Sequence, residues 1–237
     1  MDWLKATEPF KIASLEFHVW RVCLNVPATL ERLLSFLSSE EKARAERFVF
    51  PRDKEHFIMA RGTLRELLGR YLDEAPEKIK LWTNVWGKPS LTESGRRGAI
   101  YFNLSHSHGM AAYVFSLEGQ VGIDIEKVRP EVGSEEIAQR YFSPSEIREL
   151  SSLPLELRAE GFFLCWTRKE AYIKARGEGM RIPLRSFEVS LTPGEPAVLR
   201  SHDGEKWSLY SLTPFPDFVA ACVVPYPAKE SRLLELK

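Results

Sequence analysis

Three acidic residues and one lysine are the groups whose types and spacing point to chemistry. In Val121-Gly122-Ile123-Asp124-Ile125-Glu126-Lys127-Val128, strand alternation puts Val121, Ile123 and Ile125 on one face and Gly122, Asp124 and Glu126 on the other. Two carboxylates projecting side by side repel unless they are solvated or bridged by a cation, and a hard divalent ion such as magnesium takes oxygen ligands of this kind. The stretch GFFLCWTRKEAYIKARGEG supplies a third acid. On a helix turning about 100° per residue, Phe163, Trp166, Glu170, Ile173 and Lys174 share one side, so a carboxylate interrupts an apolar stripe. With Lys174 one turn on, this suits a magnesium and diphosphate site, the metal on Glu170 and the ammonium on a phosphate oxygen. Each feature alone also has an ordinary reading. The acidic pair can be a solvated strand face, and Glu170 with Lys174 can be an ion pair worth about 0.2 to 0.5 kcal/mol to the helix.

Asn103-Leu104-Ser105-His106-Ser107-His108-Gly109 offers hydroxyls, imidazoles and turn amides, all able to bind phosphate oxygens. His106 and His108 also suggest zinc, but no further His or Cys stands at a recognisable ligand spacing. Arg61 lies at the edge of an apolar helical stripe and Lys88 in the turn Trp86-Gly87-Lys88-Pro89. Read singly, they are a snorkelling arginine and a solvated turn lysine.

The elements that must position these groups follow from periodicity and punctuation. Residues 12 to 24 read as a strand, and LERLLSFLSSEEKARAERFVF as one or two helices. From Asp53, the spacing of Phe57, Ala60, Leu64, Leu67, Leu68 and Tyr71 predicts a helix to residue 72. Segments 99 to 104 and 110 to 116 read as strands joined by a Ser-His-Ser-His-Gly turn, with VGIDIEKV a third strand. Phe142-Ser143-Pro144-Ser145-Glu146 is a helix start. Ser143 caps, Pro144 takes the first helical position, Glu146 closes a capping box, and Phe142 with Ile147 offers a hydrophobic staple. Ser38 to Glu41 repeats that spacing, and each copy precedes another helix and short strands. The repetition predicts an α+β chain of two similar halves meeting near residue 117.

A chain of 237 residues, 44% hydrophobic and 28% charged, can bury a real core. Its 33 basic residues balance 33 acidic ones, so nothing favours long-range attraction to nucleic acid or an acidic membrane. No apolar run is long enough for a bilayer span and the N-terminus lacks a signal-peptide pattern, which predicts a cytoplasmic protein. Cys23, Cys165 and Cys222 are odd in number and far apart, as expected of reduced thiols.

Taken together, RFVFPRDKEHFIMARGTLRELL, WGKPSL, FNLSHS, VGIDIE, FSPSE and WTRKEAYIKARGEG, in this order from Arg47 to Gly179, resemble the longer-chain 4'-phosphopantetheinyl transferases, which activate carrier proteins of peptide, polyketide and fatty-acid synthesis. The resemblance implies two similar halves, each a small, mainly antiparallel sheet with packed helices, related by a pseudo-twofold axis with coenzyme A in the cleft between them. Residues 1–116 would make the coenzyme contacts, and residues 117–237 would carry the magnesium carboxylates and the catalytic helix. It implies that Asp124, Glu126 and Glu170 bind magnesium, that Glu170 is also the base for the incoming serine, and that Lys174 supports the departing diphosphate. Arg44, Arg61, Lys88, Asn103, Ser105 and His106 would surround coenzyme A, with Lys88 near the adenine end, and Asp124 would face it. The partner implied is an apo acyl or peptidyl carrier protein, and the enzyme a monomer, since two halves in one chain replace the subunit interface of shorter relatives. Two other functions use the same residues: a metal-dependent phosphohydrolase that spends water on a nucleotide diphosphate, and a coenzyme A binding or carrier-docking module. The second would not require all three carboxylates and the lysine.

Overall fold

The computed structural model describes residues 3–5, 11–91, 100–130, 134–200, 207–228 and 230–236. Two sheets organise the chain. The larger runs β1 (Leu4–Lys5), β12 (Glu230–Glu235), β2 (Glu16–Cys23), β6 (Met110–Ser116), β5 (Tyr101–Ser107). It is antiparallel from β2 to β5, while β12 pairs parallel with β1 and β2. The smaller runs β10 (Trp207–Leu212), β11 (Phe218–Pro225), β7 (Gly122–Lys127) and is antiparallel throughout. Two short hairpins flank them: β3 (Trp82–Thr83) with β4 (Pro89–Ser90), and β8 (Glu188–Val189) with β9 (Leu199–Arg200). The helices are α1 (Leu30–Ser35), α2 (Ser39–Ala45), α3 (Pro51–Leu72), α4 (Ser134–Tyr141), α5 (Pro144–Ser152) and α6 (Leu155–Arg176). Among the described residues no helix is long and apolar enough to cross a membrane.

Strand alternation builds the layers. On β6, Ala111, Tyr113 and Phe115 pack with Leu64, Leu67 and Leu68 of α3, while Ala112 and Val114 turn the other way to meet Ile123, Ile125, Ala220 and Cys222 of the smaller sheet. On β11, Val219, Ala221 and Val223 face Phe163, Tyr172 and Ile173 of α6. The order is therefore α3, larger sheet, smaller sheet, α6, an α+β architecture of two sheet-and-helix halves as the sequence predicts. The last strand, β12, lies in the larger sheet and ties the chain's end to its first half.

Both Ser-x-x-Glu sites are complete capping boxes, Ser38 with Glu41 at α2 and Ser143 with Glu146 at α5. Each leads to a 22-residue helix, α3 and α6, ended by a left-handed residue, Asp73 and Gly177. The expected five-residue turn after residue 104 is corrected. Strand β5 continues through Ser105, His106 and Ser107, and only His108 and Gly109, both at positive φ (49° and 79°), make the turn. Two such residues match the right-handed twist of the flanking strands, so the hairpin closes in two residues rather than five. Ala99, the first residue of that predicted strand, lies outside the described residues.

Gly122 sets how closely α6 approaches β7: a Cβ there would overlap the carbonyl oxygen of Ala171 and the amide nitrogen of Ala175. Gly122→Ala should cost about 3 kcal/mol in urea unfolding because neither backbone can yield. Gly194→Ala, at φ 80° with open space around it, should cost about 1 kcal/mol from backbone strain alone. Equal costs would contradict the close contact of helix and strand.

Candidate active site

Strand β5 ends the larger sheet and β7 ends the smaller one, and the two edges face each other through side chains. Asn103 Oδ1 accepts from the Ile123 amide at 3.0 Å, Ser105 Oγ donates to Asp124 Oδ1 at 2.8 Å, and Ser107 Oγ donates to Glu126 Oε2 at 2.7 Å. Alternate residues of one strand thus meet successive groups of the other. The gap beside this seam, closed by α3 on one side and α6 on the other, is a cavity of about 390 Å³. Arg44, Arg61, Lys88, Asn103, Ser105, His106, Glu170 and Lys174 all line it. Asp124 and Glu126 stand behind Ser105 and Ser107.

Lys174 Nζ donates to Asp124 Oδ1 at 2.6 Å and to Ser105 Oγ at 2.9 Å. The helical pair between Glu170 and Lys174 is not made, because the lysine reaches across to β7. Among the described residues Glu170 has neither a hydrogen-bond nor an ion-pair partner. Burial raises its pKa, Asp124 and Glu126 raise it further by repulsion, and Lys174 opposes them. Glu126 is raised by burial and Asp124, against the Ser107 hydrogen bond and the charges of Arg129 and Lys174. Asp124 is 4% exposed, and its Oδ2 is buried without a hydrogen-bond partner.

Three repelling carboxylates, one with an orphaned buried oxygen, fit a hard divalent cation by charge and donor type. As they stand, with Lys174 on Asp124, no three His, Cys, Asp or Glu side chains among the described residues are gathered as a ligand set. The zinc reading of the histidines likewise finds no third ligand. His108 shares a 2.9 Å hydrogen bond with Ser107 in the turn, while His106 is exposed and lines the cavity. The protein packed around His106 lowers its pKa, and the charge of Lys174 adds to this.

The basic side chains differ from their ordinary readings. Arg61 is 9% exposed, too buried for a snorkelling group. Its Nε lies 3.4 Å from Glu41 Oε1, and Glu41 is also held by Arg65 at 2.7 Å. Arg61 Nη1 is buried with no hydrogen-bond partner, a cationic donor without an acceptor on a cavity wall. Arg44 sits 5.3 Å above the ring of Phe57. Lys88 is no solvated turn lysine: its Nζ donates to Gln120 Oε1, Val121 O, Lys174 O and Ala175 O, and burial lowers its pKa to about 7. Trp86, Gly87 and Gly179 complete this end of the cavity.

Sequence reasoning missed Asn84, whose Oδ1 accepts from the amides of Trp86 and Lys88, both at 2.9 Å, fixing the β3–β4 loop. An Asn three residues before the Gly of a turn was the available signal. It also missed that Glu146, read only as a cap, pairs with Lys169 at 2.8 Å, both essentially fully buried. Lys169 also donates to the Leu184 and Phe187 carbonyls at 2.7 Å. That fixes the rotation of α6 at the residue before Glu170.

With this geometry in place, comparison with known proteins is specific. A family model described as the 4'-phosphopantetheinyl transferase superfamily matches residues 120–223, and one described as the 4'-phosphopantetheinyl transferase N-terminal region matches residues 24–116. The 4'-phosphopantetheinyl transferase HetI of Nostoc is 41% identical over 94% of this chain and 93% of its own length. The 4'-phosphopantetheinyl transferase psf-1 of Bacillus pumilus is 32% identical over 89% of each. Among solved structures, the holo-[acyl-carrier-protein] synthase of Thermotoga maritima is 27% identical, covering 48% of this chain and 64% of that one, with a TM-score of 0.37. The chain belongs to the 4'-phosphopantetheinyl transferase superfamily.

Proposed function

We propose that this enzyme transfers the 4'-phosphopantetheine arm of coenzyme A to a serine of an apo acyl or peptidyl carrier protein, releasing adenosine 3',5'-bisphosphate. The observation that carries the reading is the meeting of Glu170, Lys174 and Ser105 on one wall of a cavity, with Asp124 bonded to both Lys174 and Ser105 behind it, while the other wall presents Arg61 and Arg44. A ligand rich in phosphate needs cations on one side, and on the other, carboxylates that can share a cation with it. Asp124, Glu126 and Glu170 would hold magnesium, which would supply the charge that neutralises the diphosphate oxygens shielding phosphorus from attack. The first half of the chain, residues 1–116, carries the coenzyme contacts, and residues 117–237 the carboxylates and the helix that serves them. Each half supplies part of the cavity, so a monomer suffices, and three free thiols, two of them buried, suit the cytoplasm.

The chain's own groups then have distinct tasks. Arg61 holds the 3'-phosphate, while Ser105 and His106 hold diphosphate oxygens and fix the diphosphate for in-line attack. The carrier serine oxygen bonds to the phosphorus bearing the pantetheine arm while the bond from that phosphorus to the bridging oxygen breaks. The departing bisphosphate keeps the electron pair, stabilised by the Lys174 ammonium. Glu170 takes the serine proton, directly or through one bound water. Its pKa, raised by burial and neighbouring carboxylates, brings it nearer to that of an effective base at neutral pH.

The direct test mixes the protein with coenzyme A, magnesium and a panel of apo carrier proteins and weighs the carriers intact. A magnesium-dependent gain of one phosphopantetheine is expected. Free phosphopantetheine with unmodified carriers would favour hydrolysis instead.

Arg61→Ala should weaken coenzyme A more than its analogue lacking the 3'-phosphate, by roughly tenfold, since a charge-assisted contact is lost only where it is made. Calorimetric titration of both ligands measures this, and equal weakening would remove Arg61 from that phosphate.

Glu170→Gln keeps the size of the side chain and removes both charge and base. Single-turnover transfer at saturating magnesium should fall by about 10² to 10⁴. The folded-state pKa of Glu170 lies above its ordinary 4.5, so above about pH 4.5 the folded chain holds more protons than the unfolded one and stability falls as pH rises. Without metal, the variant should therefore match wild type in acid and become the more stable of the two as pH rises toward about 7. Thermal unfolding across that range checks it, and a variant less stable at neutral pH would assign Glu170 a structural ion pair.

A further inference from the structure

Helix α6 is capped by the other half of the chain. Its own C-terminus closes one carbonyl, with the Gly177 amide donating to Ile173 O at 3.0 Å. The carbonyls that follow have no partner further along the helix, as at any helix end. They are met instead from the β3–β4 loop: Lys88 Nζ donates to Lys174 O at 2.7 Å and to Ala175 O at 3.3 Å, and Asn84 Nδ2 donates to Gly177 O at 2.9 Å. The same ammonium reaches Val121 O at 3.0 Å and Gln120 Oε1 at 2.8 Å, immediately before β7. All four partners are neutral oxygens. Among the described residues Lys88 forms no ion pair, so its charge is offset by the negative end of the α6 dipole.

One cation therefore grips the end of α6 at Lys174 and the start of the strand that carries Asp124. Lys174 and Asp124 are the two groups whose 2.6 Å contact defines the cavity wall. We infer that Lys88 is a positioning residue: with Asn84 it caps α6 from the other half of the chain and sets where Lys174 stands against Asp124 and Ser105. This rests on the reading of α6 as the helix that performs the transfer. Lys88 Nζ has no donor left to offer a ligand, since four protein oxygens already share its protons. The β3–β4 loop is the right rigid element for the purpose, because Asn84 fixes the amide of Lys88 itself.

The test compares Lys88→Met, Asn84→Ala, Lys174→Ala and the Lys88→Met/Lys174→Ala pair, with all rates expressed per folded molecule. Lys88→Met should lower the single-turnover transfer rate at saturating coenzyme A roughly tenfold, and the double variant should be no slower than Lys174→Ala alone, as for groups acting through one another. Coenzyme A affinity, by calorimetry, should change less than about threefold, because no ligand contact is lost. Asn84→Ala should move the rate in the same direction by a smaller factor. A raised dissociation constant with an unchanged saturated rate, or effects that multiply in the double variant, would show that Lys88 touches the ligand itself. Hydrogen exchange needs no turnover. The last-turn amides of α6 should exchange faster in Lys88→Met, and unaltered protection would overturn the cap whatever the activity of wild type. Wild-type protein that leaves every carrier unmodified while the cap proves real would instead overturn the proposed function.

Discussion

The site depends on two sheet edges meeting without a backbone ladder. An edge strand normally leaves a row of unpaired amides and carbonyls. Here Asn103 takes one such amide, that of Ile123, and Ser105 and Ser107 engage the side chains of Asp124 and Glu126. A continuous ladder from β5 to β7 would merge the two sheets and fill the space that forms the cavity. Because the joint is made by side chains on alternate residues, the strands hold register while the face above them stays open to ligand. The same seam buries Asp124, and a buried carboxylate persists in charged form only with cations and donors around it. Lys174 and Ser105 supply them, which requires α6 to lie almost against β7, and Gly122 permits that approach.

Charge is arranged by wall. Carboxylates gather where β7 meets α6, and guanidinium groups gather on α2 and α3, with Glu41 holding Arg61 and Arg65 in place. Lys174 stands between the two sets. Its ammonium pairs with Asp124 at 2.6 Å. A diphosphate arriving with a divalent cation, as proposed, would offer the lysine a more negative partner and give the carboxylates a cation to share.

Much of this was legible in the sequence, and the reasons differ by residue. Alternation in VGIDIEKV put Asp124 and Glu126 on the face away from Ile123 and Ile125, and that is their arrangement, because strand geometry is local. The two Ser-x-x-Glu sites were readable for the same reason, since a capping box spans only four residues. What spacing could not supply was partnership at long range. Lys174 had a neighbour four residues away on its own helix and bonded instead to an aspartate 50 positions earlier. Lys88 looked like a solvated turn lysine until the fold brought the end of α6 against it. Asn103, read as a ligand for phosphate, lines the cavity but commits its carbonyl oxygen to a strand edge. The insertion of β12 beside β2 also depends on contacts across nearly the whole chain, which no local pattern records.

We propose that the three carboxylates and Lys174 act together on a metal-bound diphosphate in the cavity between the halves. A crystal structure of the protein with coenzyme A and manganese, with anomalous data collected at the metal edge, is the decisive experiment. One strong anomalous peak is expected among the Asp124, Glu126 and Glu170 carboxylates and the diphosphate, with the Lys174 ammonium moved from Asp124 to a phosphate oxygen. A metal on His106 and His108, or a coenzyme lying outside the cavity with Lys174 still on Asp124, would contradict it.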